Sequence, residues 1–385
     1  MKPLFFRDRK RLEVSLTAPR RMGDVWQAGW SCRSADWRKE VTVRMKDPSG
    51  MHAGLADAAL PPALLLGMLG PFREARLRGG AVCPVLLAGA EAAAALMLER
   101  FEDAHPVRLR AARRRRPGVA TDGGNLCVCF TGGVDSCFSA WKLREQSGGL
   151  LFVHGFDIPL GNAKLYAGVK THLDLLAKDL GLPLCDVATD LREATDRYAL
   201  WGKRAFGTAL ASMAHLLPDP CSGLAIPASY DLSNLMTGGS MPDLDPLWSS
   251  GRTRVLHHGV ETSRFEKIRQ LADWPLALKH LRVCWVNPDN AYNCGRCEKC
   301  VRTLVLLEMA GLSHLAESFD TRLDAAAIPD LQMASTIVLS HWEQILDLLR
   351  QNSRFDTLRK GVATMLQRNR ARFGLPGNPE VAPSC

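Results

Sequence analysis

Five short apolar runs, at 126–130, 150–156, 184–187, 224–228 and 254–257, constrain this chain more than any other feature of it. Helix-period patterns lie between most of them, at 134–146, 163–180 and 192–216. A short run that is apolar throughout reads as a strand buried on both faces. Alternation with helices reads as a parallel sheet covered by helices on both sides, so the expected fold class is α/β. At 385 residues, 46% of them apolar, the chain is long enough for such a sheet and a second compact region.

The flanks read differently. "RLEVSLTA" and "KEVTVRM" alternate like strands, and "LPPALLLGMLGPF" and "PVLLAGAEAAAALMLERF" read as helical. Residues 1–105 are therefore expected to form a small α+β N-terminal domain, of a role that composition does not indicate. Residues 106–124, with Pro117 and "TDGG", read as an arginine-rich linker, 125–310 as the sheet domain and 311–385 as a helical C-terminal extension. In that extension Ile337, Trp342, Ile345, Leu348 and Leu349 fall mostly on one stripe, and the last dozen residues read as frayed.

The formal net charge is +9, of which Arg108, Arg110 and Arg113 to Arg116 supply six, leaving +3 elsewhere. The basicity is local, and the run reads as a solvated linker rather than an RNA clamp, so nucleic acid is not the favoured partner. The apolar stretches 58–72 and 81–98 are broken by Pro61, Pro62, Gly67, Gly70, Pro84 and Glu91, and no membrane span is expected. "MKPLFFRDRKRLEV" is charged early and lacks a small-residue cleavage site; it does not read as a signal peptide, and a cytoplasmic location is expected.

Between the strand at 126–130 and the helix opening near 134 stands Thr131-Gly132-Gly133-Val134-Asp135-Ser136. A strand that turns through glycines into a helix aims unpaired N–H groups and a positive helix end at one spot, where an anion is stabilised. Glycine supplies positive φ and close approach, and Thr131 and Ser136 add hydroxyls. The alternative, a plain tight turn with Asp135 capping the helix, leaves the other matched positions unexplained. The spacing and the absent lysine separate the loop from the P-loop of kinases and GTPases.

Twelve cysteines are too few for a disulfide scaffold, yet Cys284, Cys294, Cys297 and Cys300 lie within seventeen residues. Four thiolates at that spacing suit a tetrahedral soft metal, zinc by default; an iron–sulfur cluster is the less favoured occupant. Gly295 relaxes the turn between ligands, and Arg296, Lys299 and Arg302 offset the thiolate charge.

The glycine loop resembles the PP-loop of the N-type ATP pyrophosphatases, Ser-Gly-Gly-X-Asp-Ser, with Thr131 in place of the first serine. Followed by the cysteine set, it resembles the 7-cyano-7-deazaguanine synthase branch over about 125–310. The resemblance implies a five-stranded adenine-nucleotide α-hydrolase-like parallel sheet. It implies that ATP binds at Thr131 to Ser136 with Mg2+, that Asp135 and Ser136 serve catalysis, and that Cys284, Cys294, Cys297 and Cys300 hold a structural Zn2+. "LAIPASYDLSN" stands where the family has an acidic substrate segment. "MPDLDPLWS" keeps Pro242, Asp243 and Pro246 of the next motif but has Leu244 and Asp245 for its Cys-Arg pair. Arg264 stands in the place of a phosphate-contacting lysine. These departures, and the added N-terminal region, imply a divergent relative with another substrate.

Other residues are weighed on position. Asp157 ends the second strand, where it would contact adenosine or a metal, or cap a turn. Asp231, Asp243 and Asp245 follow the fourth strand and are candidates for substrate or magnesium. His154 reads as packed, and His257 and His258, as strand neighbours, face opposite ways. Cys137 and Cys185 are sulfur-carrying candidates, with core packing favoured for Cys137.

The expected function is a ligase forming AMP and pyrophosphate. It adenylates a carboxylate or amide oxygen of a small molecule, and ammonia or another amine then displaces AMP. The alternatives are a sulfur transferase of the tRNA-thiolation kind and a degenerate nucleotide-binding regulator. A small-molecule substrate, no membrane and a homo-oligomer complete the expected partners.

Overall fold

The computed structural model describes residues 11–116 and 125–376. The chain forms two compact units: Met1–Thr131 with Asp135–Ser263, and Gly132–Val134 with Arg264–Cys385.

The first unit is built on one ten-stranded sheet of order β10-β9-β6-β7-β8-β3-β2-β1-β4-β5. In chain order the strands are β1 (Arg11–Met22), β2 (Val25–Arg33), β3 (Arg38–Met45), β4 (Glu74–Val82), β5 (Arg108–Arg113), β6 (Asn125–Cys129), β7 (Ser147–His154), β8 (Leu184–Thr189), β9 (Cys221–Pro227) and β10 (Arg254–His258). From β10 to β8 every pairing is parallel, with β6 between β7 and β9. β3 joins β8 antiparallel, β2 joins β3 and β1 antiparallel, and β1, β4 and β5 are again parallel.

The α/β class follows from this sheet, but the N-terminal region is not a separate domain. Val43 pairs with Thr189 and Arg44 with Ala188, so the N-terminal strands continue the sheet of 125–263. The expected linker is half wrong for the same reason: Arg108–Arg113 is the outermost strand of that sheet. The rest of it, 117–124, and the chain end from 377, lie outside the described residues. β4 and β5 were hidden from sequence because their glycines and arginines carry little strand propensity; the registers with β1 and with each other hold them.

The helices of this unit are α1 (Ser49–Leu69), α2 (Pro84–Arg100), α3 (Val134–Leu143), α4 (Ala163–Asp179), α5 (Leu191–Thr195) and α6 (Phe206–Ala214). α1 packs on β4, β1 and β2, where Leu12, Val14, Trp30 and Leu77 are buried. It runs through Pro61 and Pro62, where the sequence suggested an interruption. Proline at 62 lacks the N–H that would reach the carbonyl four residues back. That carbonyl, of Ala58, instead accepts from Ser212 Oγ on α6 at 2.5 Å. α1 is long and apolar enough to cross a membrane, and it is mostly buried inside the fold.

The second unit comprises α7 (Arg264–Gln270), α8 (Pro275–Lys279), a cysteine-bearing loop, then α9 (Glu298–Ala310), α10 (Thr336–Arg350) and α11 (Asp356–Arg372). The stripe read in α10 is there, shifted: Leu339, Trp342, Ile345, Leu346 and Leu349 are buried, while Ile337 and Leu348 are half-buried. Trp342 Nε1 donates to Glu298 Oε1 at 2.8 Å and joins α10 to the start of α9.

Candidate functional site

At the carboxyl end of β6 the chain passes through Thr131 and Gly132 into α3. Gly132 has φ +74, the left-handed region that a side chain resists. The Thr131 N–H donates to Ser136 Oγ at 3.3 Å, and the two hydroxyls lie 3.5 Å apart. Ser136 is buried, whereas Thr131, Gly133 and Asp135 are half-buried. The Gly132 carbonyl accepts from the Arg282 N–H at 2.8 Å. The loop is thus closed by its own hydroxyls at the amino end of a ten-residue helix, a geometry that stabilises an anion.

The acidic candidates separate by environment. Asp157 is exposed, three residues beyond β7. Asp231 accepts from the Ser233 N–H at 3.0 Å and from Asn234 Nδ2 at 2.9 Å, capping a short turn. Asp243 binds the Arg100 guanidinium in bidentate fashion at 2.6 and 3.0 Å. That hydrogen bond holds its carboxyl below the usual carboxylate range. Asp245 is fully buried, accepts from Ser240 Oγ at 2.6 Å and meets His257 Nδ1 at 2.8 Å. Burial pushes its carboxyl up, against the pull of His257 and Ser240. The structure thus places Asp245 in a buried Ser240–Asp245–His257 network. Sequence reading missed that network, because nothing in "SMPDLD" marks its last residue as interior.

His257 and His258 face apart, as alternation requires: His258 Nδ1 lies 2.9 Å from Ser139 Oγ on α3. His154 is stacked on Tyr166 at 4.0 Å, and burial lowers its pKa. Desolvation keeps Cys137 and Cys185 as thiols, pushing Cys185 up to about 12. Arg264 opens α7 in the second unit, half-buried. One turn on, Lys267 is only 1% exposed; it shares that side of the helix with Arg264 by its three-residue spacing.

The cysteine quartet is assembled. The sulfurs of Cys284, Cys294, Cys297 and Cys300 all lie within 4.8 Å of one another, with Cys284–Cys297 at 3.9 Å and Cys294–Cys300 at 4.0 Å. The Asn287 and Cys297 amides each donate to a sulfur, of Cys284 and Cys294, at 3.2 Å. The Cys297 thiol is drawn down to about 5, chiefly by a hydrogen bond from Cys300. Compact spacing and amide donors together fit zinc or another metal ion.

Asn293 builds this geometry, and sequence reading missed it. Buried, it accepts from the Val283 and Cys284 amides at 2.9 and 3.2 Å and donates to the Leu281 carbonyl at 2.7 Å. The only signal was its position next to Cys294. Gly295 has φ +68, and a Cβ there would meet Thr321 Oγ1 at 1.8 Å. Of the cations expected to offset the thiolates, Arg302 pairs with Glu298 at 3.0 Å and Lys299 lies 4.5 Å from the Trp285 ring centre. No family model, curated protein or solved structure matches the chain.

Proposed function

We propose that the chain is an ATP-dependent ligase of the pyrophosphate-releasing kind, a divergent relative of the 7-cyano-7-deazaguanine synthases. One observation carries the reading: β6, Thr131-Gly132-Gly133-Val134-Asp135-Ser136 and α3 make a hydroxyl-closed strand–turn–helix on the central strand of five parallel strands. Such a turn suits a diphosphate, whose charge the amides and the helix end neutralise. In the proposed reaction a carboxylate or amide oxygen of a small molecule attacks the α-phosphorus of ATP. The bond to the β,γ-diphosphate breaks, and pyrophosphate leaves into the turn. Ammonia or another amine then attacks the activated carbon and expels AMP. Mg2+ would shield the leaving diphosphate, with Asp135 as the ligand this chain offers. Arg264, standing where the resembled family has a phosphate-contacting lysine, is the cation proposed to contact a phosphate oxygen.

Zinc is the proposed occupant of the cysteine quartet. With Zn–S bonds of about 2.3 Å, tetrahedral thiolates stand roughly 3.8 Å apart, close to the 3.9 and 4.0 Å observed. A cubane cluster interposes irons and sulfides and needs a wider set. Burial pushes the Cys137 and Cys185 thiols up, which disfavours these two as sulfur carriers.

The test is product analysis with ATP and fractionated small molecules. AMP and pyrophosphate are expected; ADP and orthophosphate overturn the reading. Asp135→Ala should lose pyrophosphate release by at least about a hundredfold with an unchanged melting profile.

A further inference from the structure

The N-terminal five strands have one covered and one bare face. Leu12, Val14, Trp30, Val41, Val43 and Leu77 point to the covered side and are buried. Their sequence neighbours point the other way, and the registers place Arg11, Arg33, Arg38, Arg44, Arg76, Arg78, Arg108 and Arg110 on the bare face. Those eight arginines stand against three glutamates of the strands, Glu13, Glu40 and Glu74, and Asp190, which accepts from Thr42 at 2.7 and 3.3 Å. One register row, Arg110, Arg76, Glu13, Arg33 and Arg38, crosses all five strands.

The glutamates do not neutralise the face. Glu74 is shared among Arg11, Arg76 and Arg110 at 3.1, 2.9 and 3.9 Å, while Arg78 takes Glu13 and Arg38 takes Glu40. Among the described residues Arg33 and Arg108 have no ion pair. Arg76 lies directly opposite Arg110, and Arg33 opposite Arg38. Like charges directly opposite are destabilising in a sheet. An excess of cations held at that cost is explained by an anionic partner.

We propose that this face docks the phosphodiester backbone of a nucleic-acid duplex. Every cation on it is arginine, whose planar fork matches phosphate oxygens in bidentate fashion. Ser15, Ser31, Thr17 and Thr42 fill the positions between, and the paired rows carry no aromatic or branched aliphatic side chain. That composition lacks the anchors of a protein interface, the stacking platform of a single-strand site and the apolar wedge of a membrane surface. Five strands span about 20 Å, and that length of duplex carries roughly a dozen phosphates. Arg113 ends the same strand but pairs with the buried Val82 rather than with a face position, and the surface does not depend on the proposed ATP chemistry.

The test uses the full chain and fluorescein-labelled 24-base-pair duplexes of arbitrary sequence, one DNA and one RNA, followed by anisotropy over a range of salt. Affinity should fall steeply as salt rises, for one duplex or both. Replacing Arg76, Arg78, Arg108 and Arg110 by Gln should weaken binding at least about tenfold and make the log–log salt slope shallower by about three. If that variant melts abnormally, Arg33→Gln with Arg108→Gln, at positions with no ion pair, should give a smaller loss of the same kind. Gln at Arg113, Arg115 and Arg116 should leave binding within about twofold. The proposal is overturned by variants that bind like the parent, by salt-independent binding, by preference for single strands, or by tighter binding to phosphatidylserine vesicles than to either duplex.

Discussion

Asn293 holds two consecutive amides and a carbonyl with one side chain, between Cys284 and Cys294 of the quartet. Its removal leaves buried backbone groups unpaired, at about 1–3 kcal/mol each. Asn293→Ala should lower the melting temperature and weaken zinc retention about 10- to 100-fold against a competing chelator. Retention equal to the parent would show that the quartet sets its own geometry. Gly295→Ala adds two separable penalties, backbone strain at φ +68 and contact with Thr321 Oγ1 at 1.8 Å. The strain alone is worth about 1–3 kcal/mol. Thr321→Ala should rescue Gly295→Ala in part, and a full rescue in denaturant melts would put the whole cost in the contact. Asp243 gives a pH signature. Arg100 depresses its folded pKa, so its contribution is complete above the unfolded carboxylate value and is lost as pH falls through the depressed folded value. The pair is partly exposed and worth about half a kcal/mol. Asp243→Asn should melt slightly below the parent at neutral pH, and the gap should close as the solution is acidified; a constant gap would argue against the ion pair as its source.

Among the elements, α1 shows how an adverse sequence is accommodated. Two adjacent prolines would ordinarily end or kink it. Ser212 Oγ satisfies the Ala58 carbonyl, and the helix continues through the interior. Ser212→Ala should cost about 1–2 kcal/mol in denaturant melts. Ser212→Cys, a weaker donor, should fall between Ala and the parent, and two neutral substitutions would mean that the carbonyl finds another partner. β5 teaches the converse. Its six residues look like a charged linker, and only the register with β4 makes them a strand. Arg114, just beyond, reaches the buried Asp57 at 2.8 Å, so one member of the arginine run is a structural anchor rather than a solvated charge.

At the scale of the whole molecule, metal removal is the informative perturbation. Stripping the quartet should raise hydrogen exchange in residues 281–310, while β6 to β9 keep their protection, since those strands rest on the buried core of the first unit. Uniform loss of protection would tie the sheet to the metal. The sequence alone determined what depends on neighbours in the chain. Apolar runs placed the five parallel strands, positive-φ glycine placed the turn after β6, and cysteine spacing placed a compact thiol quartet that could hold a metal, because each is a local pattern with a local cause. Tertiary structure alone decided what depends on distant partners. It joined the N-terminal strands to β8 and lined eight arginines along one bare face. Register across strands sets those outcomes, and no window of sequence contains both sides of a pairing.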